Sequence, residues 1–380
     1  MSLVNGDLTA ARASVAQEVA FDVLTKTQEA DNEQARQEVS RSFLFPTKDM
    51  YQYAVLASVG DDVYHEPCML ALEAHMAKLT GKEAALFLPS GTMSNQIALR
   101  THLKQPPYSV LCDQRAHINN YEAGGTAFHS GAHSIPVMPS NNQSTHLMIS
   151  SPTEVVALEN TLNGTIIPQD EVVRIADFVH NHGVKMHLDG ARIWHVAAET
   201  GTSLKELLEP FDSVSLCFSK GLVGSKDYIR KARWFRKLFG GGMRQIGFLA
   251  ASAAYALTYN FPQLPRTHQL AKRLEQGLVD LGVKILSHAE TCMVFFDPTP
   301  LGISYVEIVT RAAELPSPIK LGGSRLVVHI QTSPQAVDDL LALIRQLADE
   351  KKQNGYVPPE EEVDTNGAPF SNIYVRAKKH

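Results

Sequence analysis

The feature that most constrains this chain is a rhythm. Between Pro46 and about Phe261, short apolar runs alternate with helical stretches. Ala84–Leu88, Val110–Cys112, Ser134–Met138, Val155–Leu158, Val184–Leu188 and Ser213–Phe218 read as strands. Lys48–Ser58, Met69–Leu79, a segment from Ser90 through Asn95 and Ala98, a helix opened by Tyr121–Gly124, Pro168–His182 and Leu204–Leu208 read as helices. Short apolar strands alternating with helices predict an α/β fold with a mostly parallel sheet. The Ala-rich stretch around Phe248–Leu257 reads as a buried helix. After Phe261 the rhythm changes. Helix Leu270–Leu281, strands Lys284–Leu286 and Thr291–Phe296, helix Val306–Leu315, strand Arg325–Ile330 and helix Gln335–Lys352, started by Ser333-Pro334, predict a smaller α+β unit. The expected division is a flexible extension over 1–40, a large ligand-binding domain over 41–260, a small domain over 261–352 and a polar tail over 353–380.

Composition narrows the function classes. With 380 residues, 44% of them hydrophobic, the chain can bury a sizeable core. A net charge of -5 weighs lightly against nucleic acid or an anionic membrane as the main partner. No segment is apolar over the roughly 20 residues that a membrane span needs. The first 40 residues are rich in acids and lack a basic and then apolar leader, which predicts a cytoplasmic protein. Cys68, Cys112, Cys217 and Cys292 are far apart, with no C-x-x-C; they fit reduced thiols and offer no zinc site. No metal site is expected.

The usual nucleophile-elbow, P-loop, metalloprotease and dinucleotide motifs are absent. Three strand-end groups stand out instead. Pro89-Ser90-Gly91-Thr92 turns from a strand into a helix, where backbone N–H groups and the helix dipole can cradle a phosphate. His187-Leu188-Asp189-Gly190-Ala191-Arg192 delivers an acid at a strand's carboxyl end, where α/β sheets bind ligands, with an arginine beside it that can grip an anion. Phe218-Ser219-Lys220-Gly221 puts a lysine after a buried strand, where desolvation can free its amine for a Schiff base. Each has an ordinary reading alone: an N-cap, a loop Asp–Arg pair, a solvated lysine. Together they are the three handles that a pyridoxal phosphate enzyme needs.

Further stretches carry a family resemblance. They are Gly60-Asp61-Asp62-Val63-Tyr64, Gly81-Lys82-Glu83-Ala84-Ala85-Leu86-Phe87, Ala116-His117 with Tyr121-Glu122-Ala123-Gly124-Gly125, Leu158-Glu159-Asn160-Thr161, and Gly240-Gly241-Gly242-Met243-Arg244-Gln245. With the three strand-end motifs, they make residues 46–345 resemble the threonine aldolase branch of the β-eliminating lyases, a family of fold-type I pyridoxal phosphate enzymes. The resemblance implies that Lys220 carries the cofactor as a Schiff base and that Asp189 pairs with its ring nitrogen. It implies that Gly91 and Thr92 bind the phosphate. His117 would stack on the ring and is a candidate for the proton transfer. Arg192 and Arg325 would hold the substrate carboxylate, and Arg244 would reach a cofactor phosphate across a dimer interface. The implied reaction is cleavage of a small β-hydroxy-α-amino acid, L-threonine or L-allo-threonine, to glycine and an aldehyde by a homodimer or homotetramer. An alanine racemase or β-eliminating lyase on the same scaffold, or a catalytically impaired paralogue or mis-spliced form, are the alternatives.

Four departures from the family pattern set further expectations. Ser40-Arg41-Ser42 stands where the family has Arg-Ser-Asp-Thr, so Ser40 or Ser42 would supply the substrate-pocket serine. The Asn/Ser-rich link from Pro139 to Thr153 is too short for the family's crossover helix. Gly221-Leu222 runs straight into Val223-Gly224-Ser225-Lys226, which predicts a missing sheet strand beside Lys220. Leu162 stands where many relatives have histidine.

Overall fold

A computed structural model describes residues 47–57, 66–138, 151–217 and 221–357. The N-terminal extension with Ser40, the Gly60–Tyr64 motif, most of the link after Val137, Lys220 and the polar tail from 358 lie outside the described residues.

Strands β1 (Ala84–Phe87), β2 (Ser109–Asp113), β3 (His133–Val137), β4 (Thr153–Glu159), β5 (Lys185–Gly190), β6 (Ser213–Leu216) and β7 (Gly221–Gly224) form one sheet, in the order β1-β7-β6-β5-β4-β2-β3. From β6 to β3 every neighbouring pair is parallel, while β7 is antiparallel to both β6 and β1. The expectation of a missing strand beside Lys220 is therefore wrong. The four residues directly after Lys220 occupy that slot and pair on both edges. An empty slot would have stranded the backbone N–H and C=O groups of β1 and β6.

Successive strand residues face opposite sides. Leu222 joins Leu86, Ile97, Ala98, Ile229 and Phe235 under helices Gly91–His102 and Lys226–Leu238. Val223 joins Leu188, Val214 and the buried faces of helices Gln169–Asn181, Ile193–Thr200 and Leu204–Leu208. Helices therefore cover both faces, and the strands read as continuous apolar runs. The helices over 193–200 and 226–238 went unassigned in the sequence, although Ile229, Ala232 and Phe235 mark a buried stripe at helical spacing.

Strands β8 (Lys284–Ser287), β9 (Met293–Asp297) and β10 (Arg325–Val327) form a separate antiparallel sheet, in the order β10-β9-β8. Helices Leu264–Asp280, Tyr305–Ala313 and Pro334–Gln353 close over Val294, Phe296 and Leu326. Ser333 caps the last of these helices, as its Ser-Pro start suggests. The other face of β9, Met293 and Phe295, packs with Cys292 and Val327. Thr291 Oγ1 donates to Gly164 O at 2.7 Å, tying this sheet to the loop after β4.

Three local expectations are refined. Tyr121–Gly124 is not itself helical; it is the turn after the short helix His117–Asn120 that leads into helix Gly125–Ser130, with Ala123 at φ 52° and the N-cap Gly124 at φ 73°. The Ala-rich helix is buried on one face only. Ala250, Ala253 and Ala256 are inside, whereas Phe248 and Leu249 are exposed. The strand expected over Arg325–Ile330 ends at Val327. Among the described residues no helix is long and apolar enough to cross a membrane.

Candidate active site

Five chain segments converge at the carboxyl ends of the parallel strands. The first is the turn after β1. Ser90 caps helix Gly91–His102, its Oγ accepting the Met93 N–H at 3.1 Å, and Ser94 N–H closes onto Ser90 O at 3.0 Å. Gly91 and Thr92 thus come before the first intrahelical bond, with their N–H groups at the positive end of a twelve-residue helix. The glycine run at 240–242 leans on this turn: a Cβ on Gly241 would meet Met93 Sδ at 2.2 Å. Arg244 lies exposed three residues further on.

One turn into the same helix, Asn95 reaches across to the ends of other segments. Its Nδ2 donates to Asp189 Oδ2 and to Glu122 Oε1, each at 2.8 Å. Gln96 Nε2 donates to the other Glu122 oxygen at 2.6 Å. His117 Nδ1 meets Glu122 Oε1 at 2.8 Å, and its backbone N–H donates to Glu159 Oε2 at 2.8 Å. Glu159, the last residue of β4, pairs in direct register with Asp189, one residue before the end of β5, which sets two acids side by side. Asp189 Oδ1 accepts the Ala191 N–H at 3.1 Å, and Arg192 Nη1 stands 3.9 Å from Glu159 Oε1. Arg192 and Arg325, far apart in sequence, both act electrostatically on the buried Cys292 thiol, whose pKa burial pushes up.

The electrostatics follow from this crowding. Burial, and then the Asp189 charge, push the Glu159 carboxyl up to about 7, partly offset by the His117 N–H and by Arg192. The hydrogen bond to Glu122 raises the His117 imidazole, outweighing its partial burial. One ligand atom each from His117, Glu122 and Asp189 lies within 4.8 Å of the others, a spacing that a cation could also use. Hydrogen bonds already account for it, because Asn95 bridges the two carboxylates and His117 binds one of them.

Gly91, Thr92, His117, Asp189 and Arg192 thus meet at one edge of the sheet, as expected. Lys220 lies outside the described residues. Its neighbours Leu216 and Gly221 pair at the same edge, one strand from Asp189. Leu162 is buried beside a bridge to Thr165. Sequence reasoning gave no role to Asn95, Glu122, Glu159 or His187. The available signal was period two along β5, which puts His187 on the same face as Asp189. The in-register pairing of Glu159 with Asp189 was invisible without the fold. The site suits pyridoxal phosphate: a helix N-terminus for a phosphate, the buried Asp189 carboxylate for a ring N–H, and a half-buried His117 imidazole bonded to Glu122, which Asn95 links to Asp189.

Known proteins bear this out. The beta-eliminating lyase family model matches residues 39–299. The low-specificity L-threonine aldolase of Candida albicans is 42% identical over 325 residues, covering 79% of this chain and 87% of that protein. The alanine racemase TOXG of Cochliobolus carbonum is 33% identical over 331 residues, covering 80% of this chain and 85% of that protein. Among solved structures, Leishmania major threonine aldolase superposes with a TM-score of 0.68 at 18% identity, covering 82% of this chain and 98% of that one. The sheet, the site and these relatives agree: this chain belongs to the β-eliminating lyase family of pyridoxal phosphate enzymes.

Proposed function

We propose that this protein is a low-specificity L-threonine aldolase that cleaves L-threonine and L-allo-threonine to glycine and acetaldehyde. Pyridoxal phosphate, when bound, supplies the sink for the electron pair left at Cα as the Cα–Cβ bond breaks. The Gly91 and Thr92 N–H groups bind the phosphate, and Asp189 accepts the ring N–H. Lys220 attaches the cofactor through its amine. Arg192 and Arg325 hold the substrate carboxylate, which fixes the orientation of the scissile bond. Ser40 adds a contact to substrate, and Arg244 reaches the phosphate across a subunit boundary. His117 packs on the ring face. With Nδ1–H directed at Glu122, its Nε2 is the basic atom that takes the β-hydroxyl proton, and the raised imidazole suits that task.

The observation that supports this reading most is the cluster in which half-buried His117 meets the buried Glu122, Asn95 and Asp189 beside the strand ends, in a chain 42% identical to a threonine aldolase. Purified protein loaded with pyridoxal phosphate should release acetaldehyde and glycine in equal amounts from L-threonine. An alanine racemase is the second reading, favoured by the TOXG relative. Interconversion of alanine enantiomers without acetaldehyde release would establish it instead.

We further infer a homodimer or homotetramer in the cytoplasm, acting in glycine formation and threonine breakdown, with its large and small domains dividing near residue 260. Two separate apolar cores support the division. Helix Lys48–Val55 packs on helix Gly247–Tyr255 through Tyr51 and Phe248, and leaves Tyr53, Val55, Leu56, Leu249 and Tyr259 exposed. Such an apolar patch supports a subunit contact.

A further inference from the structure

Behind Asp189, a chain of buried side chains crosses the sheet. Asn95 Oδ1 faces His187 Nε2 at 3.2 Å, His187 Nδ1 faces Ser213 Oγ at 2.8 Å, and Ser213 Oγ faces His102 Nε2 at 2.7 Å. All four side chains are buried. In β5, His187 and Asp189 share the face that helix Gly91–His102 covers, so Asn95 on that helix meets both.

The donor inventory gives this chain one direction. Asn95 Nδ2 has two N–H groups, and both reach carboxylate oxygens, on Glu122 and on Asp189. The reversed amide would set a carbonyl against two acceptors, so Oδ1 faces His187. Since Oδ1 can only accept, His187 carries its proton on Nε2. Burial, reinforced by neighbouring His102, holds the His187 imidazole far below its ordinary range, so the ring is neutral and Nδ1 accepts. The Ser213 hydroxyl then donates to Nδ1, and its oxygen accepts from His102 Nε2–H. Burial keeps the His102 imidazole neutral too. Every donor points toward the strand-end carboxylates.

We propose that Asn95 is a positioning residue for Asp189: the one-way chain His102–Ser213–His187 locks its amide as a donor, which holds the Asp189 carboxylate as an acceptor toward the ring-nitrogen proton of pyridoxal phosphate and ties it to the His117–Glu122 pair. The proposal rests on the reading of Asp189 as the ring-nitrogen partner. It makes Asn95 more than filling, because an isosteric residue without N–H donors would invert the contact. Buried hydrogen bonds to charged groups contribute enough that losing one weakens a site by about tenfold or more.

Two measurements test it. In holoprotein labelled with ¹⁵N-histidine, the His187 resonances, assigned by their loss in His187→Asn, should report the neutral Nε2–H tautomer from about pH 6 to 8. An Nδ1–H tautomer or an imidazolium overturns the chain. Absorbance titration then gives pyridoxal phosphate affinity for Asn95→Ala and Asn95→Asp. The expected order puts Asn95→Asp weakest, about tenfold or more below wild type. If Asn95 merely fills space, the isosteric Asn95→Asp binds as wild type and Asn95→Ala is the weaker, which overturns the proposal. The tautomer measurement needs no variant at Asn95 and stands if either fails to fold. Wild type that binds no pyridoxal phosphate overturns the reading of Asp189 and this assignment with it. A retained Nε2–H signal in the unloaded protein would distinguish that failure from a broken chain.

Discussion

The two sheets are built on opposite terms. Around the three-stranded sheet the main buried cluster is apolar: Val294, Phe296, Leu326, Leu340 and Ile344 interlock with no charge among them. The seven-stranded sheet carries His187, Asp189, Ser213 and Ser215 into its interior, and Asn95, Gln96 and Glu122 close over them. Each buried polar group must find a partner or destabilise the fold. Asp189 stands near the carboxyl end of β5, and Asn95 ties it to Glu122 and, further back in the sheet, to His187 and Ser213 in one hydrogen-bonded cluster. The small sheet supplies packing, and one arginine, Arg325, from its edge strand. The lesson is that binding chemistry and fold stability are drawn from different parts of the molecule and should be separable by mutation.

The sharpest way to break that separation is Asp189→Asn. It should lower the rate of acetaldehyde release roughly 10³-fold, the scale for losing a preorganised electrostatic group, while the thermal midpoint changes little. A large loss of stability with activity retained would reverse the roles of the two regions. Next, Phe296→Ala should cost about 3–5 kcal/mol by denaturant unfolding, with kcat/KM of the folded protein unchanged. A fall in kcat/KM of the folded protein would show that the small core feeds the site. Ser90→Ala removes a cap and should cost about 1 kcal/mol while weakening pyridoxal phosphate binding, measured by equilibrium titration.

A further effect concerns pH. Glu159 keeps its proton in the folded state up to about 7, whereas the unfolded chain releases it near the ordinary carboxyl value of 4.5. The unfolded state therefore gains as pH rises between those values, and stability drifts down until the folded carboxyl also ionises. Glu159→Gln should flatten that drift in a series of thermal midpoints, and an unchanged slope would assign the drift to another group.

The fold was legible where pattern and burial coincide. The six strands that read as apolar runs are strands, and Leu204–Leu208 matches its helix. The missing-strand expectation failed because Gly221-Leu222-Val223-Gly224 is short and glycine-flanked. Its strand character comes from pairing with β1 and β6, which no local signal records. The site was half legible. Gly91, Thr92, Asp189 and Arg192 sit in motifs whose chemistry can be argued from residue type. Glu159, Asn95 and His187 matter through the in-register edge of β4 and β5 and through a helix laid over it, so their importance arises only when the sheet closes.

The central claim is that Lys220, which directly precedes β7 in the sequence, holds the cofactor used by the Asp189 cluster. Borohydride reduction of the protein loaded with pyridoxal phosphate, followed by peptide mass mapping, tests it directly. The account predicts a single phosphopyridoxyl group on Lys220, lost in Lys220→Ala. Label on another lysine, or no label on folded protein, would contradict it.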